Sequence, residues 1–170
     1  MTSQPVLQMK PISESDEMRK AFEALSSDVM PQSPEILERT AIASLLLDGR
    51  LPAEVEIRRE IFQAPSMRAL FEAMEALNRT DGKYDPSQLA EFLRVHNELD
   101  LVGGMAGISD LYQYGIRSEL IPSLKKLDDL YQKKKLWRLA QKVIQASLNG
   151  VGSREIMEEM RDEMDNIQSS

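Results

Sequence analysis

The stretch from Tyr84 to Tyr112, YDPSQLAEFLRVHNELDLVGGMAGISDLY, constrains the fold more than any other part of the chain. Asp85 can accept from the free backbone N–H groups of a first helical turn, Pro86 sits where a missing N–H costs nothing, and Gln88 can reach back to complete a capping box. A helix is therefore expected from Pro86. Leu89, Phe92 and Leu93 recur at helical spacing and mark a buried stripe, while Glu91, Arg94, Asn97 and Glu98 face elsewhere. Gly103 and Gly104 break the pattern, because paired glycines reach backbone conformations that other residues avoid. Leu101 and Val102 are expected to tuck inward there, ahead of a second short helix at about Met105 to Tyr114. The local unit is helix, glycine turn, short helix.

The same period runs through the rest of the chain. Ser33, Pro34 and Glu35 open a helix that carries Leu37, Ala41, Ile42, Leu45 and Leu46 to a stop at Asp48 and Gly49. A short helix or turn from Pro52 is anchored by Ile57, Ile61 and Phe62. Ala64 and Pro65 begin a helix with Met67, Leu70, Phe71, Met74 and Leu77 on one side, and Asp81 with Gly82 turns the chain back to Tyr84. Pro122 is expected to open a helix that continues to Leu148, about 27 residues or about 40 Å. Leu124, Leu127, Leu130 and Tyr131 mark its first half; Leu136, Trp137, Leu139, Ala140, Val143, Ile144 and Leu148 mark its second, after a polar interruption at Lys133 to Lys135. Asn149 and Gly150 read as a C-cap, Ser153 as the cap of a last helix, and Ile156, Met160, Met164 and Ile167 as its one apolar stripe. These two helices form an antiparallel hairpin. The second is too short and too charged to stand alone, so its stripe requires the long helix, a second copy, or both.

No segment has the alternation of a strand. The expected class is all-α: a compact multi-helix head over 34–117, then a long helix and antiparallel hairpin over 118–168. The leader, 1–33, holds Pro5, Pro11 and Pro31 and one amphipathic stretch from Glu14 to Leu25, which reads as a mobile arm with a conditional helix.

Composition narrows the function by exclusion. The absence of cysteine removes disulfides, thiolate nucleophiles and thiolate metal sites, and fits a cytoplasmic protein. No apolar run approaches the roughly 20 residues that span a bilayer, and the N-terminus lacks the pattern of a signal peptide. A net charge of −7 with scattered bases disfavours direct DNA binding. His96 has no second histidine and no cysteine near it, so it reads as the end of an exposed helical face. Gly150, Gly152 and Ser153 lack the strand and the Gly-Lys-Ser/Thr ending of a phosphate loop, and Gly103, Gly104 and Gly107 fail the dinucleotide test for want of a preceding strand. The acidic run Glu158, Glu159, Asp162, Glu163 and Asp165 has the spacing of a solvated helix face. No catalytic constellation, metal site or cofactor site emerges, whereas ten methionines suit an adaptable contact surface.

The order of motifs resembles the amino-terminal domain of DnaB-type replicative DNA helicases of bacteria, phages and plasmids. The matching pieces are Pro34-Glu35 with the helix end Ser44-Leu45-Leu46-Leu47-Asp48, then Ile61-Phe62 and Leu70-Phe71-Glu72-Ala73-Met74. Asp85-Pro86 with Leu89-Ala90-Glu91-Phe92-Leu93 follows, then Glu98-Leu99 with Val102-Gly103-Gly104 and Ile108-Ser109-Asp110-Leu111. The likeness extends from about Pro34 to Ile167. It implies a non-catalytic collar domain whose hairpins pair into dimers of a hexameric ring and which receives primase or a helicase loader during DNA replication. Carried onto this chain through its apolar stripes, self-association or partner binding falls on Leu136, Trp137, Ala140, Val143 and Ile144 with Met157, Met160 and Met164. ATP and magnesium are expected only in a motor domain beyond Ser170, which makes the chain a fragment of an ATP-driven helicase. The alternative is a stand-alone helicase-binding accessory, loader-like or primase-like. The long leader suggests a phage or plasmid variant.

Overall fold

The computed structural model describes residues 35–169; the expected arm over 1–33, with its amphipathic stretch, lies outside the described residues. Six α-helices follow in order: α1 (Glu35–Asp48), α2 (Pro65–Asp81), α3 (Pro86–Val95), α4 (Gly104–Leu111), α5 (Leu120–Leu148) and α6 (Ser153–Gln168). Short 3₁₀ turns at Arg59–Ile61, Asp100–Val102, Tyr112–Tyr114 and Arg117–Glu119 connect them, and no strand occurs among the described residues. The described chain separates into two compact units, one reaching to Lys135 and the other beginning at Leu136.

In the first unit α1 is the central element. Ala41, Ile42, Ala43, Ser44, Leu45 and Leu46 are all buried, so over this stretch the helix is enclosed on every side, whereas its first turn, with Glu35 and Ile36, is exposed. It packs against α2, α4 and the turns over 112–114 and 117–119. Leu70, Phe71 and Met74 of α2, Leu89 and Leu93 of α3, Ile108 and Leu111 of α4, and Leu120, Leu124 and Leu127 of α5 complete one core. Phe62 and Phe71 meet in it with ring centroids 4.9 Å apart, tilted by 34°. Each such side chain, fully buried, stabilises the fold by about 1.5–3 kcal/mol over leaving it in water.

Two buried polar groups make this packing specific. Glu38 is wholly buried, and its carboxylate oxygens accept from the backbone N–H groups of Gln63 at 2.8 Å and Ala64 at 3.0 Å. Ala64 precedes α2 and has no side chain with which to cap it, so a carboxylate from another helix sits at that positive helix end instead. Ser44, also buried, accepts from the Ile116 N–H at 3.1 Å and has the Thr40 carbonyl 2.7 Å from its hydroxyl. The link from α4 to α5 is thereby stitched to α1.

The α3 start is as the sequence dictates. Gln88 N–H donates to Asp85 at 2.9 Å and the Gln88 side chain accepts from the Asp85 N–H at 3.1 Å. His96 is the C-cap, and Asn97 after it, with φ of 58°, takes the left-handed conformation that ends the helix, its successor Glu98 donating to the Leu93 carbonyl at 2.8 Å. At the glycine pair the structure differs from expectation in one residue: Val102 is buried, but Leu101 stays 50% exposed, because a single 3₁₀ turn over 100–102 can present only one of two adjacent side chains to the core. The following helix is shorter than expected. It runs as α4 to Leu111 and then tightens into the 3₁₀ turn at Tyr112–Tyr114.

Two helix starts also differ. The long helix begins at Leu120, not Pro122, since the proline lies within the first turn, where no backbone N–H has an intrahelical partner to lose. Gly152, not Ser153, occupies the N-cap of α6, and no side chain caps it.

Candidate functional site

Every residue expected to form a contact surface belongs to the unit from Leu136 to Ser169, whose two helices α5 and α6 are joined by a tight turn. Gly150, with φ of 75°, sits just past α5; its N–H donates to Ser147 and that of Val151 to the Ala146 carbonyl at 3.1 Å. This pair of bonds is a Schellman closure, so the glycines here shape a turn rather than a phosphate cradle. The antiparallel return is tied by Lys142 of α5, whose ammonium donates to the Glu163 carboxylate of α6 at 2.7 Å. That bond holds the Lys142 ammonium above its ordinary pKa, with Glu159 adding a weaker attraction.

The expected contact residues differ in exposure. On α5, Leu139 is buried, Trp137, Val143 and Ile144 are half-buried, and Leu136 and Ala140, one helical turn apart, are exposed. On α6, Ile156 and Ile167 are half-buried, whereas Met157, Met160 and Met164 remain 58%, 39% and 36% exposed. These three methionines recur at i, i+3 and i+7 and form one strip. The two exposed groups, Leu136 with Ala140 and the methionine strip, lie on different helices of the one hairpin. Periodicity found the apolar residues of both helices; it could not separate those spent on closing the hairpin from those left facing water.

Charge is divided sharply between the two helices. From Lys133 to Leu148 there are five basic residues and no acidic one, whereas Ser153 to Gln168 holds six acidic residues against Arg154 and Arg161. A basic and an acidic helix are thus laid antiparallel, each with apolar side chains exposed.

His96 ends α3 in the open. Its Nδ1 lies 2.8 Å from the Phe92 carbonyl and its ring stacks on Phe92 with centroids 4.1 Å apart. Glu38 escaped the sequence reading, although its spacing to Ala41, Ile42 and Leu45 puts it on the apolar side of α1. Among the described residues, no three histidine, cysteine or acidic side chains gather in a way that could hold a metal ion, and no helix is long and apolar enough to cross a membrane.

Among solved structures, the chain is similar to the N-terminal domain of DnaB helicase from Mycobacterium tuberculosis, with a TM-score of 0.65 at 15% identity, over 81% of this chain and 99% of that one. At such identity the likeness speaks for the fold. No curated protein sequence matches the chain. The family model for the DnaB-like helicase N-terminal domain matches residues 29–129, more than half of the chain. With the all-α head built around α1 and the hairpin that follows it, the chain belongs to the DnaB-like helicase N-terminal domain family.

Proposed function

We propose that the chain is the non-catalytic collar module of a replicative DNA helicase, acting in the cytoplasm. Copies associate through the hairpin into dimers and larger rings, and the assembled collar receives primase or a helicase loader. Nucleotide hydrolysis belongs to a separate motor domain, and the module has no direct role in gripping DNA. Within the family, the observation that carries this reading is the hairpin's exposed apolar set, Leu136 and Ala140 on one helix and Met157, Met160 and Met164 on the other. Trp137, Val143 and Ile144 form the shoulder of the same contact. The opposite charges of the two helices support it further, because a second hairpin laid across the first can set acidic α6 against basic α5.

Light scattering tests the proposal on the intact chain and on Leu136→Asp and Met160→Asp. Both positions are exposed in the single chain, so neither change should unfold it, but a charge trapped in an apolar contact costs several kcal/mol. The wild type is expected at a multiple of 19.3 kDa, with both variants reduced to folded monomers. A wild type that stays monomeric at high concentration would sink hairpin pairing and favour a stand-alone accessory that binds another protein's helicase.

A further inference from the structure

We propose that Asn149–Gly150, in the turn between α5 and α6, is a site of spontaneous deamidation, and that its conversion opens the hairpin. Of the asparagines in the chain, Asn78, Asn97, Asn149 and Asn166, Asn149 alone is followed by glycine. Asn149 and Gly150 are both exposed, and the Asn149 side-chain amide has no hydrogen-bond partner among the described residues. The Gly150 N–H donates to the Ser147 carbonyl across 3.4 Å, longer than is usual for such a bond, and a Cβ built on Gly150 would meet nothing within 4 Å. The attacking nitrogen is thus loosely held and unshielded. At the other asparagines it is not: Asn78 accepts from the Leu51 N–H at 3.0 Å and precedes Arg79, Asn97 precedes Glu98, and Asn166 precedes Ile167, so a side chain crowds the nitrogen in each case.

The step needs only water. The Gly150 nitrogen, giving up its proton, attacks Asn149 Cγ; the N–Cγ bond forms as the Cγ–Nδ2 bond breaks, and ammonia leaves with that proton, so a cyclic succinimide remains. Water then adds to either of its carbonyls. Opening at one leaves aspartate at 149; opening at the other leaves isoaspartate, in which the chain runs through the side-chain carbon. Nothing is oxidised or reduced. Attack requires Asn149 to leave its helical turn, where its N–H donates to the Gln145 carbonyl at 3.0 Å. The hairpin permits this, because local opening follows buried contact and Leu139 alone is buried among the described residues from Leu136 onward. Either product then acts against the turn. A carboxylate at 149 stands at the negative end of α5. Isoaspartate also lengthens the backbone between 149 and 150, where Gly150 and Val151 donate to Ser147 and Ala146, so the closure that returns the chain is lost.

The modification stands on its own chemistry; only its effect on assembly rests on the collar reading. The intact chain and Asn149→Gln, whose longer side chain closes a ring far more slowly, are held warm for days in a mildly alkaline buffer. Each is then digested and read by peptide mass spectrometry and by labelling with an isoaspartyl methyltransferase. The Asn149 peptide is expected to gain the mass difference between a hydroxyl and an amino group and to take the label, at least tenfold faster than the peptides of Asn78, Asn97 and Asn166. Asp48–Gly49 and Asp81–Gly82 have no amide to lose and gain no mass, so they do not mimic the signal. In the converted chains the amides of α6 are expected to exchange with solvent faster than in Asn149→Gln. An Asn149 peptide that keeps its mass in the folded chain while converting in urea, equal conversion at Asn97, or unchanged α6 exchange after conversion would each overturn the proposal. Light scattering on the same samples separates the two ideas: a wild type that is monomeric throughout yet converts at Asn149 keeps the modification site and loses collar pairing, and an oligomer whose Asn149 peptide keeps its mass does the reverse.

Discussion

Glu38 shows how one side chain can decide where a neighbouring helix begins. Its two oxygens satisfy two backbone donors beside a helix start that has no capping side chain of its own. Truncation to alanine would leave those donors buried and a small cavity behind, so Glu38→Ala is expected to lower stability by about 2–4 kcal/mol, measured by urea denaturation. Tyr84 carries a second residue-scale consequence. Its hydroxyl, buried in the core, donates to the Leu45 carbonyl at 2.8 Å, and burial, with smaller contributions from Asp48 and Tyr112, pushes its pKa up. The unfolded chain therefore releases this proton first as pH rises, and the fold loses stability above the ordinary tyrosine pKa of about 10. Tyr84→Phe is expected to cost about 1 kcal/mol at neutral pH and to make the alkaline decline shallower, as read from denaturation midpoints across pH.

At the scale of elements, the turn between α3 and α4 depends on close backbone approach. Gly103 and Gly104 adopt φ of 80° and 69°, which the glycine pair in the sequence announces. Gly107 is different: its backbone is ordinary, but a Cβ there would stand 1.9 Å from the Val102 carbonyl oxygen and 2.9 Å from its carbon. Both contacts are backbone, so no side chain can swing aside. Gly107→Ala is expected to destabilise the head by more than 2 kcal/mol, against a few tenths for Gly152→Ala, where the added methyl meets nothing within 4 Å; thermal melts of the two variants check this. Helix bodies were readable because each carries its own period. Starts are less legible: the box at Asp85 is visible because all its parts are local, whereas Pro122 and Ser153 lie one or two residues inside the observed starts, because position relative to the first turn depends on how the preceding link is held.

The whole molecule is uneven in stability. The head unit has a continuous core around α1, while α6 has no buried residue and, among the described residues from Leu136 onward, Leu139 alone is buried. Local opening follows buried apolar contact, so amides of α6 are expected to exchange with solvent much faster than those of α1 and α2 at low protein concentration. Hydrogen exchange measured against concentration checks this, and a slowing in α6 as concentration rises is the signature of hairpins stabilised by each other.

The all-α class, the order of helices, the capping box and the family likeness were all carried by local signals: period 3.6, proline and glycine placement, and short motifs in sequence order. Such signals survive in one dimension because a helix satisfies its own backbone and needs neighbours only on its stripe. Which stripe residues are hidden is another matter. Leu139 and Leu136 stand three apart on α5, yet one is buried and the other 45% exposed; Glu38 and Glu35 stand three apart on α1, yet one is sealed in the core. The helices and their order thus follow from local chemistry. The buried carboxylate before α2 and the exposed methionine strip arise only in the folded chain, because burial is a property of what lies across from a side chain, and that comes from distant parts of the chain.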